Sequence, residues 1–208
     1  MKTWKIAVAV ALVMLTAASA YAKGTTKMSH DSGTSKGNWT FAAQGGMSMP
    51  TGDYGNVAST GFNFGGLANY WMNPQWGFGP DIAYHANNAS DAVKTALAVI
   101  DPGAELKFST IQYGAHAIYN IPMQGGTMFP YLQGGVSEYN FKAKTTGGTA
   151  PGDVSDNKFG FNLGGGLDFG ATPTVNFGVN GAYHYVTTDP ATNWFGIQGR
   201  VTFKMPTK

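Results

Sequence analysis

Six ionisable side chains lie in segments where every second residue is apolar or Gly, and each occupies one of the polar positions between. They are Asp81, His85, His116, Asp168, His184 and Arg200. A carboxylate beside a guanidinium forms charge-assisted hydrogen bonds, and an imidazole can bind protons or metal ions. The chemistry open to these residues is therefore an ion-pair network, a polar pathway, a metal site or acid–base catalysis.

Metal binding is the weaker interpretation of the histidines. Imidazole is a good ligand for Zn, Cu and Ni, but His85, His116 and His184 belong to the third, fourth and seventh alternating segments. This separation does not favour a common site. We expect hydrogen-bonded histidines, no metal and no cofactor.

Catalysis is not predicted either. The segment 183–186 (YHYV) is faintly similar to the His-x-Ser segment of a lipid A deacylase family. Val186 stands at the position of the nucleophile, however, and no Glu follows to orient His184, whereas an activated Ser needs both a base and an orienting group. Phosphate-binding loops and zinc-protease motifs do not occur in the sequence. The Gly-x-Ser-x-Gly pattern of a nucleophile elbow occurs at residues 33–37 (GTSKG), but this segment lacks the preceding strand and following helix that such an elbow needs. We therefore name no catalytic residue.

The alternating segments that carry the six residues predict the fold. In residues 194–203, apolar residues or Gly alternate with polar residues, which is the pattern of a strand with one apolar face. Seven earlier segments, which start near residues 38, 61, 76, 105, 128, 159 and 175, resemble it. The second is less regular because Leu67 and Trp71 fall out of phase, and the fifth carries aromatic residues on both faces.

The connections between these segments alternate in length. The gaps after odd segments are long (50–60, 87–104, 144–156 and 187–193), and the gaps after even segments are short (73–75, 122–127 and 171–174). Outer-membrane barrels have long extracellular loops and short periplasmic turns. We therefore predict an all-β, eight-stranded antiparallel transmembrane β-barrel. Residues 91–100, within the second long gap, are apolar enough for a short amphipathic helix or a strand extension. We interpret the loop 87–104 as a partly ordered surface loop, and the alternative is a lid or contact surface on the cell exterior.

Aromatic residues are predicted to form a belt at each membrane interface, where their amphipathic rings are favoured. The periplasmic belt would contain Trp39, Trp71, Trp76, Tyr119, Phe129, Phe169 and Phe203. The outer belt would contain Phe62, Tyr84, Phe141, Phe159, Tyr185 and Trp194.

The six ionisable residues are predicted to point into the lumen. An eight-stranded barrel is just wide enough for side chains to fill it, and an unpaired charge in such an interior is costly. We expect a network centred on Arg200 with Asp168 or Asp81, completed by amides and histidines. The alternative is a continuous water pathway lined by the same residues.

The N-terminus predicts export. Residues 1–22 have the positive start, short apolar core and small-residue cleavage sites of a signal peptide, with cleavage after Ala20 or Ala22. Residues 23–37 would form a disordered periplasmic tail and 38–208 the barrel. Lys2 and Lys5 account for the whole excess of 13 Lys and Arg over 11 Asp and Glu, so nucleic acid is not an expected partner. The absence of Cys excludes disulfides, thiolate metal sites and a lipoprotein anchor.

The Gly- and aromatic-rich segments 131–139 and 161–169, together with the signal peptide and the eight strands, are similar to the small outer-membrane β-barrel superfamily. That superfamily includes OmpA transmembrane domains, OmpX, OmpW and opacity proteins. The resemblance implies a monomer in outer-membrane lipid, inserted by the barrel assembly machinery. It also implies a non-enzymatic structural or surface-interaction role through extracellular loops, with a possible extracellular ligand. A narrow channel for small or hydrophobic solutes is the alternative, and a lipid-modifying enzyme is the third candidate.

Overall fold

The computed structural model describes residues 36–123 and 128–205. They form eight strands and two helices. The strands are β1 (Trp39–Thr51), β2 (Gly61–Trp71), β3 (Trp76–Asn88), β4 (Glu105–Asn120), β5 (Met128–Thr146), β6 (Gly152–Gly170), β7 (Val175–Val186) and β8 (Thr192–Lys204). The helices are α1 (Tyr54–Val57) and α2 (Asp91–Ile100).

The eight strands close into one antiparallel barrel in sequence order. Each strand pairs with the next along the chain, and β1 pairs with β8 from Thr40↔Lys204 to Thr51↔Asn193. The predicted eight-stranded antiparallel barrel is therefore confirmed. No helix formed by the described residues is long and apolar enough to cross a membrane.

Alternation along the strands separates two surfaces of opposite polarity. The outer face is apolar: Ile82 and Leu163, for example, are 58% and 69% exposed. The inner face is polar, and Asn180 and Arg200 are only 2% and 3% exposed. A soluble barrel would bury its apolar face, so this inverted arrangement requires an apolar surrounding.

Two tryptophans assigned to the interfacial belts lie in the lumen instead. Trp71 and Trp194 are 3% and 1% exposed. β2 keeps a single phase, with Leu67, Asn69 and Trp71 inward and Tyr70 outward. The residues that looked out of phase are thus regular lumen residues, and the predicted belt positions of both tryptophans were wrong.

Two phenylalanines of the predicted belts also lie inside. Phe129 lines a lumen cavity beside Lys204, and Phe141 packs on the buried side chains of Tyr139 and Trp194. The pattern of β5 was ambiguous because its lumen face carries aromatic residues, among them the buried Tyr131 and Tyr139.

The predicted long loop 144–156 is mostly a β-hairpin. β5 continues to Thr146 and β6 begins at Gly152, with Lys144 opposite Asp153. Both faces of these strand ends are solvated, so no apolar period marked them in the sequence. The segment after β3 forms a helix, α2, which is one of the two structures predicted for residues 91–100. The Ser90 hydroxyl caps this helix by accepting a hydrogen bond from the Val93 N–H at 3.3 Å. The short helix α1 was not predicted.

The predicted signal peptide lies outside the described residues, as does most of the predicted tail. Lys36 and Gly37 are the last tail positions, and the Gly37 N–H donates to the Trp71 carbonyl at 2.8 Å.

Candidate functional site: the lumen and the projecting sheet

The lumen end nearest the short turns contains an ion-pair cluster, named here the lower cluster: Tyr131, Asp168, Arg200 and Thr202. Arg200 Nε donates to the Thr202 hydroxyl at 3.1 Å, and that hydroxyl donates to Asp168 Oδ2 at 3.2 Å. Arg200 Nε lies 4.0 Å from the same carboxylate oxygen. The guanidinium also stacks over the Tyr131 ring at 4.6 Å, so the buried cation is held by charge, hydrogen bonding and a π face.

The middle of the lumen is occupied by a separate chain of polar groups, in which Asp81 faces His116 rather than Arg200. Asp81 Oδ1 accepts from Gln112 Nε2 at 2.9 Å, and Oδ2 lies 3.3 Å from His116 Nδ1. The other ring nitrogen of His116 lies 2.7 Å from Asn69 Oδ1. Asn69 in turn donates to the Thr40 hydroxyl at 3.2 Å. The structure thus pairs Arg200 with Asp168 and leaves Asp81 to a histidine.

The lumen end nearest the long loops is closed by aromatic rings, named here the upper plug: His85, Tyr139, His184 and Trp194. The His184 and Trp194 rings stack with centroids 4.8 Å apart, and His85 packs against both. Tyr139 Oη and His184 Nδ1 are 3.1 Å apart. The upper plug therefore brings His85 and His184 together, while His116 lies lower in the lumen beside Asp81.

Small cavities remain between these side chains in the part of the chain that the structure describes, a central one and a lower one among them. The central one, of about 30 Å³, borders on Asp81 and all three lumen histidines. The lower one, of about 20 Å³, borders on Arg200 and Asp168. A cavity of roughly 10–15 Å³ already holds a water molecule, so each has room for a few atoms only.

The hairpin of β5 and β6 extends beyond β7 at the long-loop end. The region formed by residues 142–146 of β5 and 152–158 of β6, with Glu105 and Leu106 of β4 paired to it, is named here the projecting sheet. Pairing of β6 with β7 starts at Gly160↔Val186, whereas pairing of β6 with β5 continues to Gly152. Residues 152–158 of β6, named here the free edge, therefore have a strand neighbour on one side only within the described part of the chain. Sequence reasoning missed this edge because it treated the segment as a loop.

A carboxylate clasp fixes the tip of the projecting sheet. The Asp101 carboxylate, just after α2, accepts from the Thr149 N–H at 2.8 and 3.0 Å and from the Thr149 hydroxyl at 3.0 Å. Gly147 and Gly148 have φ values of 71° and 62°, which favour glycine. A Cβ on Gly148 would also collide with the Asp101 carboxylate. The close approach of Asp101 to the turn therefore requires glycine at position 148.

We expect the clasp to be sensitive to pH. The hydrogen bond from the Thr149 backbone lowers the pKa of Asp101. The clasp should therefore hold above the ordinary carboxyl pKa of about 3.9 and weaken as pH falls through the lower pKa of the folded state. Asp101→Ala should speed hydrogen exchange at the Thr149 amide at neutral pH, whereas Asp91→Ala, on the exposed first turn of α2, should not. Equal exchange rates in the two variants would contradict this role for Asp101.

Comparison with known proteins places this geometry among small membrane barrels. A family model described as "Outer membrane protein beta-barrel domain" matches residues 7–204. No match was found among curated proteins.

Three solved structures illustrate the structural likeness. Neisserial surface protein A (NspA) is 20% identical with a TM-score of 0.57, covering 82% of this chain and 98% of that one. A major outer membrane protein from Thermus thermophilus is 10% identical with a TM-score of 0.59, covering 81% and 98%. Ail of Yersinia pestis, solved with the heparin analogue sucrose octasulfate, is 19% identical with a TM-score of 0.50, covering 81% and 99%. At these identities the likeness shows a shared fold.

Proposed function

Because the chain belongs to the outer membrane protein β-barrel family and lies in the bacterial outer membrane, we propose that it is a non-enzymatic surface-interaction protein. In this proposal the long-loop end faces the cell exterior, and the projecting sheet binds an extended segment of an extracellular partner. The observation that carries the proposal is the free edge, residues 152–158 of β6.

A free strand edge presents unpaired backbone N–H and C=O groups, which can pair with a strand from another molecule. The free edge is seven residues long, which corresponds to roughly 23 Å at 3.3 Å per residue. The clasp between Asp101 and Thr149 anchors the adjoining turn to the loop after α2. An anchored edge loses less conformational entropy on binding than a mobile loop would.

Charges on the free edge argue for a selective partner. Asp153, Asp156 and Lys158 all lie on it, and the Lys158 ammonium contacts the Asp156 carboxylate at 2.9 Å. Charged residues on an edge strand oppose indiscriminate pairing and aggregation. A partner strand would therefore need complementary polar side chains opposite these positions.

The lumen supports a role outside the barrel. Side chains of the lower cluster and the upper plug occupy both ends of the lumen, and the two cavities between them measure about 30 and 20 Å³. His184 belongs to the segment 183–186, which is faintly similar to the His-x-Ser segment of a lipid A deacylase family. Its ring stacks on Trp194, and its Nδ1 faces the Tyr139 hydroxyl. This environment favours a structural histidine over a general base.

The apolar outer face supports the remaining parts of the proposal. Side chains such as Phe64 and Phe177, 55% and 54% exposed, suit contact with lipid acyl chains. A closed barrel has no open edge within the membrane, so we propose a monomer that the barrel assembly machinery inserts.

Proline substitution tests the free edge. Successive residues of a strand direct their N–H groups to opposite sides, so Val154→Pro and Ser155→Pro remove one donor facing β5 and one facing the free side. Peptides selected from a random display library on the refolded barrel should shift the amide resonances of residues 152–158. The Phe159 carbonyl accepts from the Thr187 N–H on the β7 side, so by alternation the Ser155 N–H faces the free side and the Val154 N–H faces β5. Ser155→Pro should therefore weaken that binding at least about tenfold, as expected for loss of backbone pairing, and leave the hairpin intact.

The matched control for this experiment is Ser155→Ala, which keeps the backbone donor and should bind as the parent does. Peptides that shift only resonances outside 152–158, or a selection that yields no binder, would contradict the proposed binding edge.

A further inference from the structure

The sequence predicts no metal site, but the geometry of the lumen leads to a different inference. We propose that the central lumen cavity is a binding site for one divalent transition-metal ion of the zinc class, held between Asp81 and His116. The site is independent of the proposed surface role, since it lies inside the barrel and uses none of the residues 152–158 that form the free edge.

The separation of the two ligand atoms is the first observation. Asp81 Oδ2 and His116 Nδ1 are 3.3 Å apart, yet neither atom has a hydrogen-bond partner. Ligands bound to tetrahedral zinc lie 2.0–2.2 Å from the ion, which puts two such atoms roughly 3.3–3.5 Å from each other. The pair is thus poorly aligned for a hydrogen bond but spaced like two ligands of one ion.

The outer hydrogen bonds of the same residues are the second observation. His116 Nε2 lies 2.7 Å from Asn69 Oδ1. With the Asn69 amide in this orientation the Nε2 tautomer of a neutral ring donates to Oδ1 and has its lone pair on Nδ1. Asp81 Oδ1 accepts from Gln112 at 2.9 Å. Metal-bound histidines and carboxylates in proteins are oriented by outer contacts of this kind.

The lining of the cavity is the third observation. Besides Asp81 and His116, four lining residues each have one buried side-chain atom without a hydrogen-bond partner: Gln44 Oε1, Gln133 Oε1, His85 Nδ1 and His184 Nε2. Amide oxygens and deprotonated ring nitrogens can donate an electron pair. The described residues that line the cavity include one carboxylate and neither Lys nor Arg. The cavity therefore offers electron-pair donors and a negative charge, which suit a cation.

The number of strong ligands limits the affinity. Within residues 36–123 and 128–205, no three His, Asp or Glu side chains converge closely enough to hold one ion. The protein supplies two strong ligands, and amide oxygens or water must complete the coordination. Imidazole and carboxylate together suit zinc, nickel and copper better than calcium or magnesium.

Zinc titration of the refolded barrel in detergent at pH 7.5 tests the site. Every sample is free of affinity tags and carries His30→Asn, because His30 lies in the N-terminal segment outside the described residues. We expect one Zn²⁺ per chain by calorimetry. Asp81→Asn and His116→Asn should each weaken binding by at least about tenfold, whereas Asp91→Asn, the same exchange on the exposed first turn of α2, should bind as the parent does.

A measurement on the parent protein avoids dependence on the folding of variants. Ring ¹⁵N resonances of His116 should show a proton on Nε2 alone, and Zn²⁺ should shift the Nδ1 resonance. Protons on both nitrogens in the presence of Zn²⁺ would mean that an imidazolium pairs with Asp81 instead of a metal. That result, the absence of zinc binding, or unchanged binding in the Asp81 and His116 variants would overturn the proposal.

Discussion

Arg200→Ala is expected to lower the free energy of unfolding of the barrel by about 3–5 kcal/mol, as removal of one partner from a buried ion pair does. The substitution removes the guanidinium that lies 4.0 Å from the Asp168 carboxylate, in a place where the two side chains are only 2% and 10% exposed. It leaves Lys204, which borders on the same cavity, as the remaining cation there. It also removes the stacking partner of Tyr131. Urea unfolding in detergent or lipid vesicles measures the loss.

Two further variants identify the cause of this loss. The double variant Arg200→Leu with Asp168→Leu should recover most of the stability, because it removes both charges together. Lys94→Ala breaks the exposed pair with Asp91, whose side chains are 55% and 98% exposed, and should change stability by at most about 1 kcal/mol. If Arg200→Ala were as mild as Lys94→Ala, the lower cluster would not hold the barrel together.

Trp194→Ala is expected to cost about 3–5 kcal/mol, the usual range for a large aromatic side chain removed from a packed interior. Trp194 is 1% exposed, and its ring contacts those of His85, Tyr139 and His184 at centroid distances of 5.1, 5.4 and 4.8 Å. The substitution would empty the centre of the upper plug. The same urea unfolding measures it.

Trp194→Phe is the matched control. The Trp194 indole nitrogen has no hydrogen-bond partner, so Phe loses volume but no hydrogen bond, and it should cost about half as much or less. A loss below about 1 kcal/mol for Trp194→Ala would mean that the plug packs loosely and that Trp194 is not its centre.

The sequence predicted the barrel well because alternation is a strong signal wherever one strand face meets lipid and the other meets a polar lumen. The inward positions of Asp81, His116 and Arg200 followed from that period alone. The same signal failed for residues 144–156, since both faces of the projecting hairpin are solvated and no apolar period is required there.

Residue type was a poorer guide than phase. Trp71 and Trp194 were assigned to lipid interfaces because they are aromatic and lie near strand ends. Trp71 lies on the same strand face as Asn69, and Trp194 lies on the same strand face as Arg200. Both tryptophans therefore point into the lumen. Aromatic rings fill a narrow lumen as readily as they occupy an interface.

Pairing across the lumen could not be predicted from the sequence. Whether Asp81 meets Arg200 or His116 depends on the register between strands, in which Asp81 stands opposite Gly114 and His116 opposite Gly79. A strand pattern fixes which face a residue occupies, but it does not fix the height at which two strands align.

Single-channel conductance of the refolded protein in a planar bilayer tests the central claim most directly, namely that the lumen is filled and the function lies at the surface. A heat-modifiable band on gels first establishes that the barrel is closed. We predict no steady openings across the voltage range, because the lower cluster and the upper plug occupy the lumen. Steady openings from the folded barrel would contradict the claim and would favour a narrow channel lined by the same polar residues.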